Sequence, residues 1–580
     1  MRTRAGLAFA TFASSCMLFD PLNRPDDFAR GGSSGAISGG SAGAGVGGAN
    51  GGAAGKVAAG GVVSAGGSSG GTSSVQAGAG GSGDVGNQAG AGGDGGVPLP
   101  CTSNTECNSD PELPQYCQLP ERRCVPLGSS SCRVVGDPSH PRAIFFGAFA
   151  PFDSSDESRT IRDTYQLAFD EFMILQGLPP ANARRPLVMV LCDSGSGPAV
   201  IDAAVKHLTR DVRVPAILAA LPSADLQRNF ESDYGADTFY LSPQKVSEEL
   251  ATSDSQGMVW NLLGRSRDLK GIYAALVRQF EAYVRTLQQD LAGTPLRVAA
   301  VTQLADADGN ELSQAVLGAL TFNPENLTFE ENRQQGNALL IDIANQQIID
   351  ELVAFKPHLV ISFAKEPFTA INGIAHQLEQ RLVSRPHYLL SPWNSGDEAD
   401  LREIFLRNKQ AGRTNSQQRF FGIDGPSALD AGSRDAKNEY TSRLLSLHSA
   451  DKTNFENFYD AFYYLVYAMF AGGSPITGPG TAAGMTRLYQ GSDVFYVGRN
   501  DMSTIFTTLQ DGRNRIYLKG ALGDPTFDST GGRVDTGSVY CFDNLPTPTL
   551  RPNVFGYNVT TDMLYETTPS PPCLSGLLTP

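Results

Sequence analysis

The loop Asp193-Ser194-Gly195-Ser196-Gly197 is the stretch of the sequence that most resembles a site for chemistry. It joins an apolar run to an amphipathic segment, and a glycine-rich turn between a strand and a helix can hold a phosphate group on its backbone N–H groups. The loop lacks the lysine of a nucleotide-binding P-loop and the partner residues of a dinucleotide fingerprint. We therefore interpret it as a structural turn first, with a ligand contact and a phosphate cradle as the alternatives.

Two carboxylates at Asp306 and Asp308 raise the question of a calcium site. An EF-hand loop requires glycine at its sixth position and glutamate at its twelfth, whereas the segment from Asp306 has glycine at its fourth. The spacing therefore excludes this loop type. We expect the two aspartates at the rim of a ligand cleft or in a solvated loop, and we predict no metal ion and no other cofactor.

Motifs for enzymatic catalysis are absent from the sequence. Six histidines occur, but none forms H-E-x-x-H, and the globular part contains no G-x-S-x-G elbow. We interpret His207, on a polar helix face, and His358, at the start of a buried strand, as structural. Cys192 is a conceivable nucleophile, although a disulfide or a buried thiol suits an exported chain better. The sequence predicts a protein that is not an enzyme.

The first residues indicate export. Two early arginines precede a short apolar stretch that ends in Ala13-Ser14-Ser15-Cys16, the outline of a signal peptide over residues 1–16. Small residues before a cysteine resemble the lipobox of bacterial lipoproteins, which implies lipidation of Cys16 and anchoring to the cell envelope, in the periplasm or at the outer membrane. An ordinary cleaved signal and a misassigned start are the alternatives. Residues 17–99 are mostly Gly, Ala and Ser, and we expect a flexible linker there.

The remaining cysteines predict disulfides in an oxidising compartment. Five of them are close together, no C-x-x-C pair occurs, and the cluster contains no histidine, so a zinc site is disfavoured. We expect a small disulfide-bonded knob over residues 100–135. The connectivity stays open, including a bridge from Cys132 to a cysteine outside the knob. The eight candidates are Cys101, Cys107, Cys117, Cys124, Cys132, Cys192, Cys541 and Cys573.

Charge and hydropathy exclude two classes of partner. The formal net charge is −15, which argues against nucleic acid because nucleic acid attracts basic surfaces. No apolar run is long enough for a transmembrane helix. Contact with a membrane is therefore expected only through the lipid anchor.

Apolar runs and amphipathic segments alternate after residue 141. Runs such as "AIFFGAFA" and "LVMVLC" are typical of strands buried on both faces, and helical periodicity follows each of them. We predict one helix over residues 338–355, an aromatic helix over 454–473 that packs in the core, and a hairpin turn at residues 528–532. The alternation stops and restarts near Leu296, which predicts an α/β fold of two doubly wound parallel-sheet lobes.

The predicted domain boundaries follow from this pattern. The two-lobed domain covers residues 136–545. Its first lobe is expected at 141–268 and 395–470, and its second at 269–394 and 471–545. Residues 546–580 are rich in proline and are expected to form a C-terminal tail.

The order of these segments resembles a known family. Strand "IFFGAFAP", then "MVLCDSGSG", "AILAALPSAD" and "FYLSPQ", together with the late "YDAFYYLVYAMFAGG" and "GALGDPTFDSTGGRV", is similar to the type I periplasmic binding proteins, in the leucine/isoleucine/valine-binding branch. The resemblance implies two lobes joined by three crossovers that close on a small molecule, often an amino acid. It also implies a role as the solute-binding component of an ABC-type uptake system or as a sensor, with a membrane permease or sensor as partner.

The resemblance also implies which residues contact the ligand. They lie in loops after the strands of both lobes, and acidic groups from the two lobes would suit a cationic or amine-bearing solute. The alternative is a protein-interaction or adhesion lipoprotein that keeps the fold without a small ligand. The implied contacts are Phe152, Ser223, Asp225, Ser242, Gln244, Asp306, Asp308, Lys365 and Glu366.

Overall fold

A computed structural model describes residues 100–567, except 109, 111–112, 120, 181–182, 253–254, 288–293, 365–367, 371, 426–429, 449–453, 535–536 and 559–560. Of residues 248, 252, 287, 307, 308, 395 and 396 it describes the backbone alone. The signal segment with Cys16, the linker, Lys365, Glu366 and Cys573 therefore lie outside the described residues.

The described chain alternates between strands and helices over most of its length. In chain order, the strands are β1 (Gln115–Gln118), β2 (Arg123–Pro126), β3 (Cys132–Val135), β4 (Ile144–Ala150), β5 (Leu187–Asp193), β6 (Ala216–Leu218), β7 (Phe239–Ser242), β8 (Val259–Asn261), β9 (Val298–Thr302), β10 (Thr321–Phe322), β11 (Leu327–Thr328), β12 (Ala338–Asp342), β13 (Leu359–Ser362), β14 (His387–Leu390), β15 (Phe420–Asp424), β16 (Asp493–Tyr496), β17 (Ile516–Lys519), β18 (Ser538–Phe542), β19 (Leu550–Asn558) and β20 (Met563–Glu566). The α-helices are α1 (Asn104–Cys107), α2 (Asp156–Ile174), α3 (Pro198–Lys206), α4 (Ser223–Phe230), α5 (Glu248–Thr252), α6 (Lys270–Leu287), α7 (Ala307–Ala319), α8 (Phe329–Gln334), α9 (Ile348–Phe355), α10 (Ile374–Arg381), α11 (Glu398–Gln410), α12 (Ala431–His448), α13 (Glu456–Ala471), α14 (Gly478–Thr486) and α15 (Met502–Leu509).

The cysteine-rich knob is confirmed as a disulfide-bonded unit. Helix α1 and the β1–β2 hairpin are held by the Cys101–Cys117 and Cys107–Cys124 bridges. Tyr116 fixes the knob to the first lobe, because its hydroxyl donates to the Val212 carbonyl at 2.5 Å.

The knob ends earlier than expected, before Cys132. Strand β3 pairs antiparallel with β5 in the first-lobe sheet, and the Cys132–Cys192 disulfide joins these two neighbouring strands. Cys192 is therefore a structural cysteine. Cys541 is disulfide-bonded as well.

The first lobe is built on a six-stranded sheet. Its order is β3-β5-β4-β6-β7-β8, and all neighbours except β3 and β5 are parallel. Strand β5 is buried at every position, as expected for a strand covered on both faces. Helices α2, α12 and α13 pack together on this sheet through aromatic contacts such as Phe146 with Phe462.

The second lobe is built on an eight-stranded sheet. Its order is β12-β9-β13-β14-β15-β18-β19-β20, with the first five strands parallel and the last three antiparallel. Successive residues of β9 belong to two different cores, since Val298 and Ala300 pack with α6, and Ala299 and Val301 pack with α10 and α11. Helices therefore cover both faces of this sheet.

The prediction of one helix over residues 338–355 is wrong. Residues Ala338–Asp342 form the edge strand β12, paired in register with β9, and only Ile348–Phe355 is helical. Between them the Asn345 side chain accepts the Gln347 N–H at 2.8 Å and turns the chain. A short apolar run fits a strand and a helix equally well, and here pairing along β9 decides it.

Three domain boundaries also differ from those expected. Helix α11 and strand β15 belong to the second lobe, while α14, α15 and β17 pack into the core of the first. Within the expected C-terminal tail, Leu550–Asn558 and Met563–Glu566 form β19 and β20, which extend the sheet of the second lobe. Val554, Phe555 and Tyr557 of β19 are buried, which stabilises this extension.

The predicted fold class is confirmed: two doubly wound α/β lobes, each with its parallel strands in the order 2-1-3-4-5. The chain crosses between the lobes three times, after β8, after β15 and after Arg533. The first two crossovers leave the carboxyl ends of the last parallel strands. The carboxyl edges of both sheets therefore adjoin the hinge.

Candidate functional site

The carboxyl edges of the two parallel sheets form the candidate site. In open α/β sheets, ligands bind outside the carboxyl ends of the strands, at the point where the strand order reverses. In the first lobe this point lies between β4 and β6, and in the second between β9 and β13.

Asp193 organises the first-lobe edge at the ends of β4 and β5. Its carboxylate is 9% exposed and accepts the N–H groups of Phe152, at 2.9 Å, and Gly195, at 2.8 Å. It also accepts the hydroxyl of Ser196. The Asp193–Gly197 loop is thus a structural turn closed on its own carboxylate, and the position where a phosphate cradle would hold an anion is already negatively charged.

Phe152 lies beside two arginines that sequence reasoning did not select. The Arg133 guanidinium is 5.0 Å from the centre of the Phe152 ring, and Arg162 donates to the backbone carbonyls of residues 151 and 153. Burial, followed by the neighbouring charge of Arg162, lowers the pKa of Arg133. Within the described part of the chain, neither arginine forms an ion pair. Arg162 is thus held by backbone carbonyls, whereas Arg133 keeps its N–H donors at an edge that also carries the Asp193 carboxylate.

The side chains of Ser223 and Asp225 form contacts within the protein. The Ser223 hydroxyl accepts the Ser247 N–H at 3.0 Å. The Asp225 carboxylate is buried and pairs with Arg228 at 2.6 Å, and Arg228 also pairs with Asp202 at 2.8 Å. Arg228 is therefore shared by two carboxylates, and the roles of Ser223 and Asp225 as ligand contacts stay predictions.

Three polar side chains lie at the ends of β7 and β8. One of them is hydrogen-bonded within the protein, and the other two have polar atoms without a described partner. Ser242 is buried and its hydroxyl contacts the backbone of Gln244, accepting the N–H at 3.2 Å. The Gln244 side-chain amide makes no hydrogen bond to any described residue and is half-buried. The Asn261 Oδ1 atom is buried and accepts no hydrogen bond within the described structure. Gln244 and Asn261 therefore keep polar groups at this edge.

On the second-lobe edge, the structure describes one of the four predicted contacts, Asp306, in full. Asp306 caps α7, since its Oδ2 atom accepts the Gly309 N–H at 2.9 Å. The side chain of Asp308 and the whole of Lys365 and Glu366 lie outside the described structure. Their role as ligand contacts stays a prediction.

Ion pairs tie the crossovers together at the hinge. Arg265, in the first crossover, contacts Asp268 at 3.0 Å and Asp528 at 3.5 Å. Asp528 belongs to the tight turn closed by the Phe527–Arg533 bridge, as the sequence predicted for residues 528–532. The predicted hairpin does not form, however, because the strands on either side of this turn, β17 and β18, lie in different sheets. The turn thus serves as the start of the third crossover.

Two buried charged side chains lie beneath this turn. Arg533 is 4% exposed and donates to the carbonyls of Leu522 at 3.0 Å and Asp524 at 2.7 Å. Asp460 of α13 accepts the N–H groups of Ala521 and Leu522, both at 2.9 Å. Burial raises the pKa of Asp460 to about 7, although the two N–H groups and Arg533 oppose the rise.

The histidines and cysteines selected from the sequence have structural contacts. A ring nitrogen of His207 contacts the Leu127 carbonyl at 3.1 Å, and His358 accepts the Arg297 N–H at 2.9 Å. Three knob sulfurs, those of Cys101, Cys107 and Cys117, lie within 4.8 Å of one another, but all three are in disulfides. A disulfide sulfur is not the thiolate that a metal requires. No helix among residues 100–567, as far as described, is long and apolar enough to cross a membrane.

Two doubly wound lobes, three crossovers and facing carboxyl edges at a hinge are the architecture that the sequence resemblance implied. The fold is that of the type I periplasmic binding proteins. No family model and no curated protein matches the chain.

Solved structures of low sequence identity match this fold. The leucine-binding protein LivK of Thermotoga maritima is 13% identical, with a TM-score of 0.46 over 71% of this chain and 97% of that one. A substrate-binding periplasmic protein of Ralstonia solanacearum is 12% identical, with a TM-score of 0.47 over 70% and 100%. An ABC transporter solute-binding protein of R. palustris, in complex with benzoate, is 11% identical, with a TM-score of 0.45 over 71% and 96%.

Proposed function

We propose that the protein binds a small polar solute between its two lobes, outside the cytoplasm, and presents it to a membrane permease or sensor without converting it chemically. The observation that carries the proposal is the hinge. Three crossovers join two lobes whose carboxyl edges both adjoin it, so closure of the hinge would bury a small molecule against both edges.

The cysteine chemistry supports a location outside the cytoplasm. Cys101–Cys117, Cys107–Cys124 and Cys132–Cys192 are disulfides, and such bonds persist in oxidising compartments. The signal-peptide outline before Cys16 supports the same location. A lipid on Cys16 and the glycine-rich linker would hold the lobes near the cell envelope.

The first-lobe edge favours a solute with a carboxylate, such as an amino acid. The Arg133 guanidinium forms no ion pair with a described acid, and the Asp225 carboxylate is engaged by Arg228. Guanidinium groups bind carboxylates through charge-assisted hydrogen bonds. The Phe152 ring and the Gln244 amide supply an apolar wall and a polar contact beside them. An amine on the same solute would require acids of the second lobe.

A thermal-shift screen of amino acids, amines and small carboxylates tests the proposal. A true solute at 100 times its Kd adds about 2.7 kcal/mol to the free energy of unfolding, which is a clear rise in melting temperature. Arg133→Gln should weaken binding of that solute at least tenfold. Arg122→Gln, in the exposed part of the knob, is the matched control and should leave it unchanged. Absence of a shift with every compound would refute solute binding.

A second candidate is a protein-interaction module that keeps the fold without a small ligand. It is favoured by the internal use of Ser223, Asp225 and Ser242, three of the residues expected to contact the solute. The same screen separates the two candidates, because this one predicts no stabilisation by any small solute.

A further inference from the structure

A cavity of about 370 Å³ lies at the opposite end of the first lobe from the hinge. Its walls include Arg142, which precedes β4, Arg185, which precedes β5, and Arg487, which follows α14. These positions are at the amino edge of the sheet. Strand β4 has seven residues, so this edge is roughly 20 Å from the carboxyl edge along the strand. The cavity is therefore separate from the site between the lobes.

The Arg487 guanidinium is hydrogen-bonded to backbone carbonyls. It donates to the carbonyls of Ala471 at 2.5 Å, Leu509 at 2.9 Å and Asn514 at 2.8 Å, near the ends of α13 and α15. These are carbonyls that a helix end leaves without an internal partner. The nearest carboxylate, that of Asp511, is 3.9 Å away and 47% exposed. Arg487 therefore closes the floor of the cavity and leaves little donor capacity for a ligand.

Arg142 and Arg185 have no compensating charge. Among the described residues, no carboxylate lies within ion-pair distance of either guanidinium. The Arg185 Nε atom is buried and donates to no described acceptor, and burial lowers the pKa of Arg185. A buried charged donor without a partner is energetically costly, so such groups usually have one. An anion in the cavity would supply the countercharge to these guanidinium groups.

The remaining walls are mostly apolar, with Ser474 and Gln510 as the polar exceptions. Pro179, Pro180, Ala183, Phe470 and Leu509 line the cavity beside the arginines. The volume lies within the range of small-molecule sites and exceeds what an inorganic anion fills. An apolar wall next to a free guanidinium matches a molecule with a hydrocarbon body and one carboxylate, which arginine binds in bidentate geometry.

We propose that this cavity is a second ligand site, which binds a small organic carboxylate through Arg185 and Arg142. The carboxylate contacts Arg185 and the hydrocarbon part packs against Phe470 and Pro180. The site is independent of solute binding at the hinge, and either can exist without the other.

Calorimetric titration of the full chain with cyclohexanecarboxylate tests the proposal, with the neutral cyclohexanecarboxamide and inorganic phosphate at equal ionic strength. The carboxylate should bind, and the amide and phosphate at least tenfold more weakly. Arg185→Met should weaken carboxylate binding at least tenfold. Arg184→Met removes the same charge from the adjacent residue, which does not line the cavity but donates to the Gly177 carbonyl, and should bind as the unaltered protein does.

Three results would overturn the proposal: equal binding of the amide, an Arg185→Met protein that binds unchanged, or an equal loss in Arg184→Met. Binding lost in Arg133→Gln but kept in Arg185→Met would place the carboxylate at the hinge site and would also refute it. If Arg185→Met does not fold, Arg142→Met at the exposed rim gives the same test, with the same expected loss.

Discussion

Replacing Asp460 by asparagine should remove a pH dependence of stability that arises at the hinge. The Asp460 carboxyl is buried in α13 and accepts two N–H groups from the segment that leads into the third crossover. Arg533 donates to carbonyls of the same segment, and the charge of Glu456 adds to the rise in the pKa of Asp460. The protonated form of this carboxyl is the one that burial favours.

The magnitude follows from the two pKa values of Asp460. Its pKa is about 7 in the folded protein and near 3.8 when exposed. A folded pKa above the unfolded one means that the folded state binds more protons between these values, so stability falls as pH rises from about 4 to about 7. From pH 5 to pH 8 the loss assigned to Asp460 is about 3 kcal/mol.

Urea unfolding at pH 5, 6, 7 and 8 measures this effect. Asp460→Asn imitates the protonated carboxyl, so the variant should lack the loss of about 3 kcal/mol that the unaltered protein shows. Asp156→Asn, whose side chain is 56% exposed, is the control and should keep the full pH dependence. The reasoning is refuted if Asp460→Asn retains the same slope between pH 5 and pH 8.

Three further predictions concern the first lobe and the second-lobe core. Asp225→Asn should lower the free energy of unfolding by about 1 kcal/mol in urea titrations, because it breaks the pair with Arg228, and should leave solute affinity unchanged; a loss of affinity would restore Asp225 as a ligand contact. Burial lowers the pKa of His387 to about 3 in the folded protein. The neutral imidazole therefore contributes to the free energy of unfolding above pH 6.5, and this contribution is lost as the pH falls. Between pH 7.5 and pH 5 this loss is about 2 kcal/mol, and His387→Phe should abolish it in the same titrations, whereas an unchanged acid slope would contradict the assignment. Removing the Cys132–Cys192 bridge with alanine at both positions should cost about 4 kcal/mol, since it closes a loop with a sequence separation of 60, and a loss below 1 kcal/mol would show that the bridge does little.

The sequence was informative about the fold where apolar runs were long. "AIFFGAFA" and "LVMVLC" became β4 and β5, which are buried almost throughout, and such runs are typical of strands in a sheet covered on both faces. The run at residues 338–341 was misassigned to a helix because four consecutive apolar residues fit both the strand period and the helix period. The last strands were missed because Pro552 marks β19 as irregular, and pairing with β18 compensates through a bulge near Val539.

The candidate site was predictable in position but not in chemistry. Strand order placed Phe152, Ser242 and Gln244 at the carboxyl edge, since every loop that follows a parallel strand meets that edge. Strand order does not specify the neighbours of a side chain. These neighbours decide whether the side chain is available to contact a ligand. Arg228, three residues after Asp225, was a local sign that this acid is paired. Arg133 gave no such sign, because it stands in the cysteine-rich stretch and reaches Phe152 only through the β3–β5 pairing.

A crystal structure of the protein with the solute that raises its melting temperature most in the screen tests the central claim most directly. Our account predicts one solute molecule between the two carboxyl edges, in contact with Phe152 and Gln244, and enclosed by both lobes. A solute bound elsewhere, or a space between the lobes that is filled by the protein's own side chains, would contradict it.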